Sequence, residues 1–310
     1  MLIIKNKKIK KILSWVLVAA FLFLVGYLKS PQNSVQKVET PTATQNNLRV
    51  IFLDVGQGDA SLVITPEGQT ILVDGGPDDK ILSQLGKFLP LSQKKIDVVI
   101  LTHPHADHLD GLVEVLRRYE VGEVYYSGFL HTTGSFLEWF KMINDKNIQL
   151  VIVKEKKEIK IGEVGLEFLY PNHDFSGLSL KEAPKNNLNN TSVVFRLNYK
   201  QTQFLFVGDA EIPVEQELVG GQVDLSATVL KVGHHGSNSS TSEDFLKLVS
   251  PQYAIISVGA GNDFGHPHLR TLRRLERHGI KFLRTDEDGN IEIISDGEKV
   301  KIKNPQSKAR

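Results

Sequence analysis

The apolar positions change their period repeatedly along the chain, and each change marks an element. Short apolar runs at 48–55, 60–65 and 69–73, separated by Gly-rich and Pro-Glu-Gly turns, predict three strands joined as a meander. Beyond them, helical spacing at 79–88, 109–119, 135–144, 213–219, 242–249 and 269–278 alternates with strand-like runs at 96–101, 148–153, 193–197, 204–207, 228–232 and 253–258. A meander followed by strand–helix alternation predicts two packed sheets with helices outside. The sequence shows no repeat of solenoid period.

The N-terminus breaks this pattern. Lys5, Lys7, Lys8, Lys10 and Lys11 precede an uncharged run over 12–28, which then meets Lys29, Ser30 and Pro31. An apolar stretch of that length behind a lysine cluster predicts an N-terminal hydrophobic helix over 1–29, a membrane anchor or a signal segment. No small-x-small cleavage site follows it, which favours the anchor. The positive-inside rule then places the rest of the chain outside the cytoplasm, single-pass if the segment stays and secreted if it is cleaved. Residues 30–47 are polar and proline-broken, as in a flexible linker, and the Lys/Asn/Pro-rich end over 301–310 reads as a frayed tail. One catalytic unit of moderate size, 48–300, lies between them.

Composition removes several classes of chemistry. The chain has no cysteine, so disulfides, thiolate metal sites, cysteine nucleophiles and lipoprotein acylation are all excluded. A formal net charge of +1 over 310 residues gives no bulk electrostatic case for nucleic-acid binding, although a local basic groove is compatible with it.

Candidate chemistry concentrates at Leu101-Thr-His-Pro-His-Ala-Asp-His-Leu-Asp-Gly111, which places His103, His105, Asp107 and His108 within six positions. A lone histidine is more often a core or surface residue than a ligand, but three imidazoles and a carboxylate so close together point to metal. Imidazole with carboxylate suits zinc, manganese or iron, whereas calcium and magnesium prefer oxygen alone. The run at 96–101 predicts a buried strand and the spacing from Leu109 a helix, so these ligands lie on a strand-to-helix loop.

Further candidates lie at other strand ends. Phe204-Leu-Phe-Val-Gly-Asp209 delivers Asp209, where a carboxylate can bridge two cations, and Val229-Leu-Lys-Val-Gly-His-His235 delivers His234 and His235. An isolated Gly-Asp is usually a turn, and only the company of the first cluster raises Asp209 above that. Asp74, before Gly75-Gly76, either caps its turn or orients a ligand histidine. His266 and His268, flanking Pro267, either cap or precede the last helix or project into the site as a proton donor or phosphate contact. His278 follows a charged helical run and is expected to be solvated.

Asp74, the His103-Pro-His105-Ala-Asp107-His108 cluster, Gly208-Asp209 and His234 together resemble the metallo-β-lactamase fold superfamily. Within it, Asp54-Val-Gly-Gln-Gly-Asp59, Lys231-Val-Gly-His-His-Gly-Ser237 and Gly265-His-Pro-His268 resemble the extracellular hydrolase domain of ComEC-type competence proteins. The resemblance spans about 48–300 and implies an α+β, four-layer αββα sandwich with a dinuclear site of zinc or manganese at one sheet edge. It assigns His103 and His105 to one metal, Asp107, His108 and one of the pair His234/His235 to the other, and Asp209 to the bridge; His234 is preferred as the nearer to the strand end, with His235 then left to touch substrate. A histidine that many members supply to the first metal is missing from 187–194, where Asn190 or water would stand in. ComEC-type proteins also embed this domain in a multi-pass channel, which one hydrophobic segment cannot form.

The resemblance, taken with the N-terminal segment, implies a membrane-tethered, extracytoplasmic, metal-dependent hydrolase of a phosphoester, DNA or another phosphodiester. Asp107 would orient the nucleophile, and His268 or His235 would protonate the leaving oxygen. Other expected outcomes are hydrolysis of a phosphocholine ester, lactone or β-lactam, and a weakly catalytic DNA-binding partner.

Overall fold

The structure, a computed structural model, describes residues 47–178, 180–184 and 187–303. The predicted anchor over 1–29 and the linker up to residue 46 lie outside the described residues. Among the described residues, no helix is long and apolar enough to cross a membrane.

Two sheets form the frame. The first contains β1 (Leu48–Phe52), β2 (Ser61–Ile64), β3 (Thr70–Val73), β4 (Lys95–Leu101), β5 (Glu120–Tyr126) and β6 (Gln149–Ile152), with β14 (Ile291–Ser295) and β15 (Val300–Ile302) returning beside β1. The second runs in the order β13 (Lys281–Arg284), β12 (Tyr253–Ile256), β11 (Val229–Lys231), β10 (Thr202–Phe206), β9 (Val194–Tyr199), β8 (Val164–Tyr170) and β7 (Lys157–Ile161). The predicted meander β1–β2–β3 is antiparallel, whereas β3 to β6 pair in parallel and β10 to β13 do the same in the other sheet.

Period-two alternation assigns the layers. Val50, Phe52, Val98, Ile100, Phe168, Phe195 and Phe206 form a core between the sheets, with Phe195 and Phe206 stacked at 4.9 Å. Their neighbours Ile51, Val99, Leu101, Leu205, Leu230 and Ile256 belong to the other apolar cluster, which includes the buried faces of the helices. Beside the first sheet these are α1 (Lys80–Phe88), α2 (Ala106–Arg118) and α3 (Gly134–Asp145); the connections of the second sheet supply α4 (Ile212–Gly220), α5 (Glu243–Val249), α6 (Leu269–Arg277) and the single turn α7 (Thr285–Asp288). Because strands such as β4 are covered on both faces toward their C-terminal ends, Val98-Val-Ile-Leu101 reads as an unbroken apolar run.

Three differences from the sequence pattern have physical causes. The edge strand β7, Lys-Glu-Ile-Lys-Ile, carries the charge that edge positions tolerate and so shows little apolar signal. Order continues past residue 301, because a turn in which Asp296 Oδ1 accepts the N–H of Glu298 and Lys299 folds β15 onto β14, pairing Lys301 with Ile294 and Ile302 with Ile293. Helix α2 begins at Ala106 rather than 109, with His105 as its N-terminal cap residue. Asp107 therefore sits in the first helical turn, where a carboxylate is favoured by the helix dipole.

Candidate metal centre

The first arm of the site follows directly from β4. After Leu101 the chain leaves the sheet, and Thr102 and His103 are buried at the strand end. His103 Nε2 lies 2.9 Å from His105 Nδ1 and 3.9 Å from Asp209 Oδ2. Burial, reinforced by the neighbouring His108, holds His103 well below the usual imidazole pKa and so favours the neutral form that ligates metal.

Asp74 lies against His108. Its Oδ1 accepts the Thr102 N–H at 2.8 Å, while Oδ2 lies 2.8 Å from Thr102 Oγ1 and 2.9 Å from His108 Nδ1. That contact occupies one nitrogen of His108 and aims the other, Nε2, at Asp209 Oδ2 3.4 Å away. The turn can reach His108 because Gly75 and Gly111 let Asp74 and α2 approach each other: a Cβ on Gly111 would lie 1.9 Å from the Gly75 oxygen.

The second arm comes from parallel strand ends of the other sheet. Gly208, at φ +52° and against Thr102 and Ser192, turns the chain so that Asp209 enters the centre, its N–H donating to Ser192 Oγ. After β11, His234 and His235 both adopt left-handed backbone angles, φ +48° and +52°. For residues with a Cβ this costs about 1–2 kcal/mol each, strain that clusters at functional sites. The turn sends the two imidazoles to different places. His235 is buried, with Nδ1 3.0 Å from the Ser257 oxygen and Nε2 3.1 Å from Asp107 Oδ2 and 3.4 Å from Asp209 Oδ2. His234 stays partly exposed, with Nδ1 3.2 Å from Glu211 Oε1 and Nε2 4.0 Å from Asp209 Oδ2.

Asp107, His108, Asp209 and His235 thus bring one donor atom each within 4.8 Å of one another, a group able to hold a metal ion. It contains His235 where the resemblance assigned His234, because the left-handed turn rotates the second imidazole of the pair inward. Two buried atoms of this group, His108 Nε2 and Asp209 Oδ1, have no hydrogen-bond partner in the protein. Buried polar atoms are nearly always satisfied, so these two fit a cation that the chain itself does not supply. In the bare protein, burial lowers the pKa of His108 and His235, but the carboxylates around them outweigh it and hold both well above the usual imidazole value. Asp209 responds reciprocally: its burial is overcome by His235 and His108, which keep it ionised.

Asn190 does not face this group. Its Oδ1 accepts the Glu211 N–H at 3.1 Å and its Nδ2 donates to the Pro184 oxygen at 3.2 Å, so both ends of the amide are engaged in holding the loop. The neighbouring Asn189 reaches the site instead, with Nδ2 3.3 Å from His234 Nε2 and a buried Oδ1 that lacks a partner. His268 caps α6, its Nδ1 accepting the Arg270 N–H at 3.2 Å, while His266 is the member of that pair brought beside His234, ring centroids 5.5 Å apart. His278 is paired rather than solvated, 2.6 Å from Glu243 Oε2.

Sequence reasoning missed Asp59, Lys231 and Glu211. Asp59 Oδ2 lies 2.6 Å from Lys231 Nζ, both side chains buried, and Oδ1 lies 3.2 Å from His235 Nδ1. The Asp54–Asp59 turn thus carries the carboxylate behind His235. A lysine between Leu230 and Val232 was the available signal: a buried charge demands a partner. Glu211 collects His234, Ser239 and the amides of Asn187 and Asn189.

Two facing sheets with helices outside and a His/Asp group at their strand ends define a metallo-hydrolase fold. The metallo-beta-lactamase superfamily profile matches residues 53–260, and the chain belongs to that superfamily. It is also related to competence proteins. It is 30% identical over 261 residues to "ComE operon protein 3" of Bacillus subtilis, covering 78% of this chain and 32% of that protein. To "Competence protein ComA" of Neisseria gonorrhoeae it is 29% identical over 284 residues, 88% of this chain and 35% of the relative. The chain thus spans about a third of the length of these relatives. Among solved structures, the metallo-beta-lactamase fold protein YhfI from Bacillus subtilis superposes with a TM-score of 0.54 at 14% identity, covering 81% of this chain and all of that one, a likeness of fold alone.

Proposed function

We propose that the chain is a metal-dependent phosphodiesterase, tethered by its N-terminal segment outside the cytoplasm and acting on DNA or another phosphodiester. The observation that carries the reading is the convergence of partly exposed Asp107 with buried His108, Asp209 and His235, where two buried donor atoms lack a hydrogen-bond partner in the protein. Kinship with competence proteins, and the N-terminus of α2 at the centre, support an anionic substrate.

In this reading His103 and His105 would hold one divalent cation and Asp107, His108 and His235 a second, with Asp209 available to both; zinc and manganese would both suit the donors. Bound there, the cations supply Lewis acidity and an acidified water near neutral pH. The chain's own residues fix the geometry. Asp74 holds His108 and the Asp59–Lys231 pair backs His235, so that both present Nε2 inward. Asp107, on a helix turn open to solvent, orients the attacking nucleophile. His234, whose Nδ1 Glu211 holds, presents Nε2 to the leaving oxygen in the role first given to His235 or His268.

A substrate panel tests this on the whole chain in detergent, with manganese or zinc: single-stranded oligonucleotide, bis-p-nitrophenyl phosphate, a phosphocholine ester, a lactone and a β-lactam. Metal-dependent cleavage of the phosphodiesters is the expected result. Turnover of the lactone or β-lactam without phosphodiester cleavage would sink the reading, and tight oligonucleotide binding without any turnover would favour a DNA-binding partner.

A further inference from the structure

Several large apolar side chains are exposed, among them Leu91, Leu137, Phe140 and Leu248, and scattered exposure of that kind is ordinary. Phe264 differs from these in where it stands. It is 69% exposed, yet its ring stacks on His266 at 5.9 Å and 23°. His266 in turn lies 5.5 Å from the His234 ring and 6.4 Å from the His235 ring. An aromatic ladder therefore runs from solvent to the candidate metal centre, ending outside in a free phenyl face.

The loop that carries this face is pinned. Asn262 Oδ1 accepts the N–H of Phe264 and of His266, while its Nδ2 donates to the Gly259 and His266 oxygens. At one end the Gly259 N–H donates to Gln57 Oε1, and at the other the His268 N–H donates to the Gly236 oxygen. The ring is held in place while most of its apolar surface is left to water, so its exposure adds little to folding and is pre-organised for a flat partner.

We propose that Phe264 is a nucleobase-stacking platform at the mouth of the centre, a specificity-determining residue that favours a strand with unpaired bases over a small phosphodiester. This rests on the phosphodiesterase reading and names a residue that selects its substrate. Every base offers a π-face, so a lone exposed ring gives sequence-tolerant affinity, and duplex DNA with stacked bases cannot use it.

The test compares a phosphorothioate thymidine oligomer with an abasic oligomer of equal length and charge, by fluorescence anisotropy on the whole chain with manganese. The wild type is expected to bind the thymidine oligomer about five- to a hundredfold more tightly. Phe264→Ala should abolish that difference and Phe264→Trp should keep it. Equal binding of both oligomers by the wild type, or full discrimination retained by Phe264→Ala, overturns the proposal. Cleavage of bis-p-nitrophenyl phosphate, measured in parallel, separates the two failures: if it persists while base discrimination is absent, only the platform falls, and if both are absent the phosphodiesterase reading falls with it.

Discussion

The two arms of the centre reach the same few ångströms by different routes. The first arm is local: one strand end and one helix turn deliver His103, His105, Asp107 and His108, and the geometry is largely set by the six-residue spacing itself. The second is assembled from the ends of β10 and β11 and the segment after β12, and its side-chain directions depend on left-handed turns at His234 and His235. Where a motif is contiguous, residue type and spacing suffice to bring the candidate side chains together. Where it is assembled, one backbone rotation decides which of two adjacent histidines faces inward.

The largest expected effect contrasts the adjacent histidines. His235→Ala removes a donor 3.4 Å from Asp209, and should remove a bound cation as well as activity, on the order of a thousandfold or more. His234→Ala should keep the full cation stoichiometry in calorimetric titration with manganese and lose activity alone. If His234→Ala is the variant that loses a cation, the rotation described for this turn does not govern ligation.

The buried supports differ between the arms as well. Behind His235 stands an ion pair, Asp59–Lys231, whereas behind His108 stands Asp74, hydrogen-bonded to Thr102. Lys231→Met leaves Asp59 charged, buried and without its ammonium, which should cost about 3–5 kcal/mol in urea unfolding. The double variant Asp59→Leu with Lys231→Met should recover much of that loss while leaving cation affinity impaired. At Asp74 the effect is smaller: Asp74→Asn frees His108 to rotate and should weaken cation binding about 10–100-fold.

Protons distinguish the bare centre from the loaded one. His108 and His235 are raised above their unfolded value of about 6.5 by surrounding carboxylates, so they carry protons that a cation must displace. Cation affinity should therefore rise with pH, with proton release visible as a buffer-dependent binding enthalpy. For the cation-free chain the sign reverses. A raised imidazole pKa contributes stability that is fully present below about pH 6.5 and is lost as pH rises through the folded value, so its thermal midpoint should fall from neutral toward alkaline pH.

Much of the frame was legible because strands buried on both faces give long apolar runs and helices give their own period. The edge strand β7 escaped that pattern, because charged side chains interrupt its apolar run. In the site, the Gly-Asp of Asp209 and the first cluster could be read from residue type. Asp59 could not, since nothing in a Gly-Gln-Gly-Asp turn reveals that Lys231 waits behind it 172 positions along the chain. The histidine missing from 187–194 was legible as a gap against the resemblance, but which asparagine there turns toward His234 was not. Asn189 and Asn190 are neighbours of one type, and only the fold shows that Asn190 bonds the loop while Asn189 reaches His234.

That last pair supplies the smallest and most discriminating substitution. Asn190→Ala deletes an acceptor for the Glu211 N–H and a donor to the Pro184 oxygen, and with net worths of about 1 kcal/mol per hydrogen bond it should lower stability by roughly 1–2 kcal/mol. Cation stoichiometry should not change, because neither end of the Asn190 amide is free to ligate. Asn189→Ala should do the opposite: it removes a buried Oδ1 that has no partner and so costs the fold little there, while loosening the Glu211–His234 contact that its Nδ2 supports. Its signature is a reduced turnover at unaltered cation content. A cation lost from Asn190→Ala would place the missing first-site donor at that position after all, and would make the loop's hydrogen bonds a consequence of the bare state rather than the reason for the asparagine.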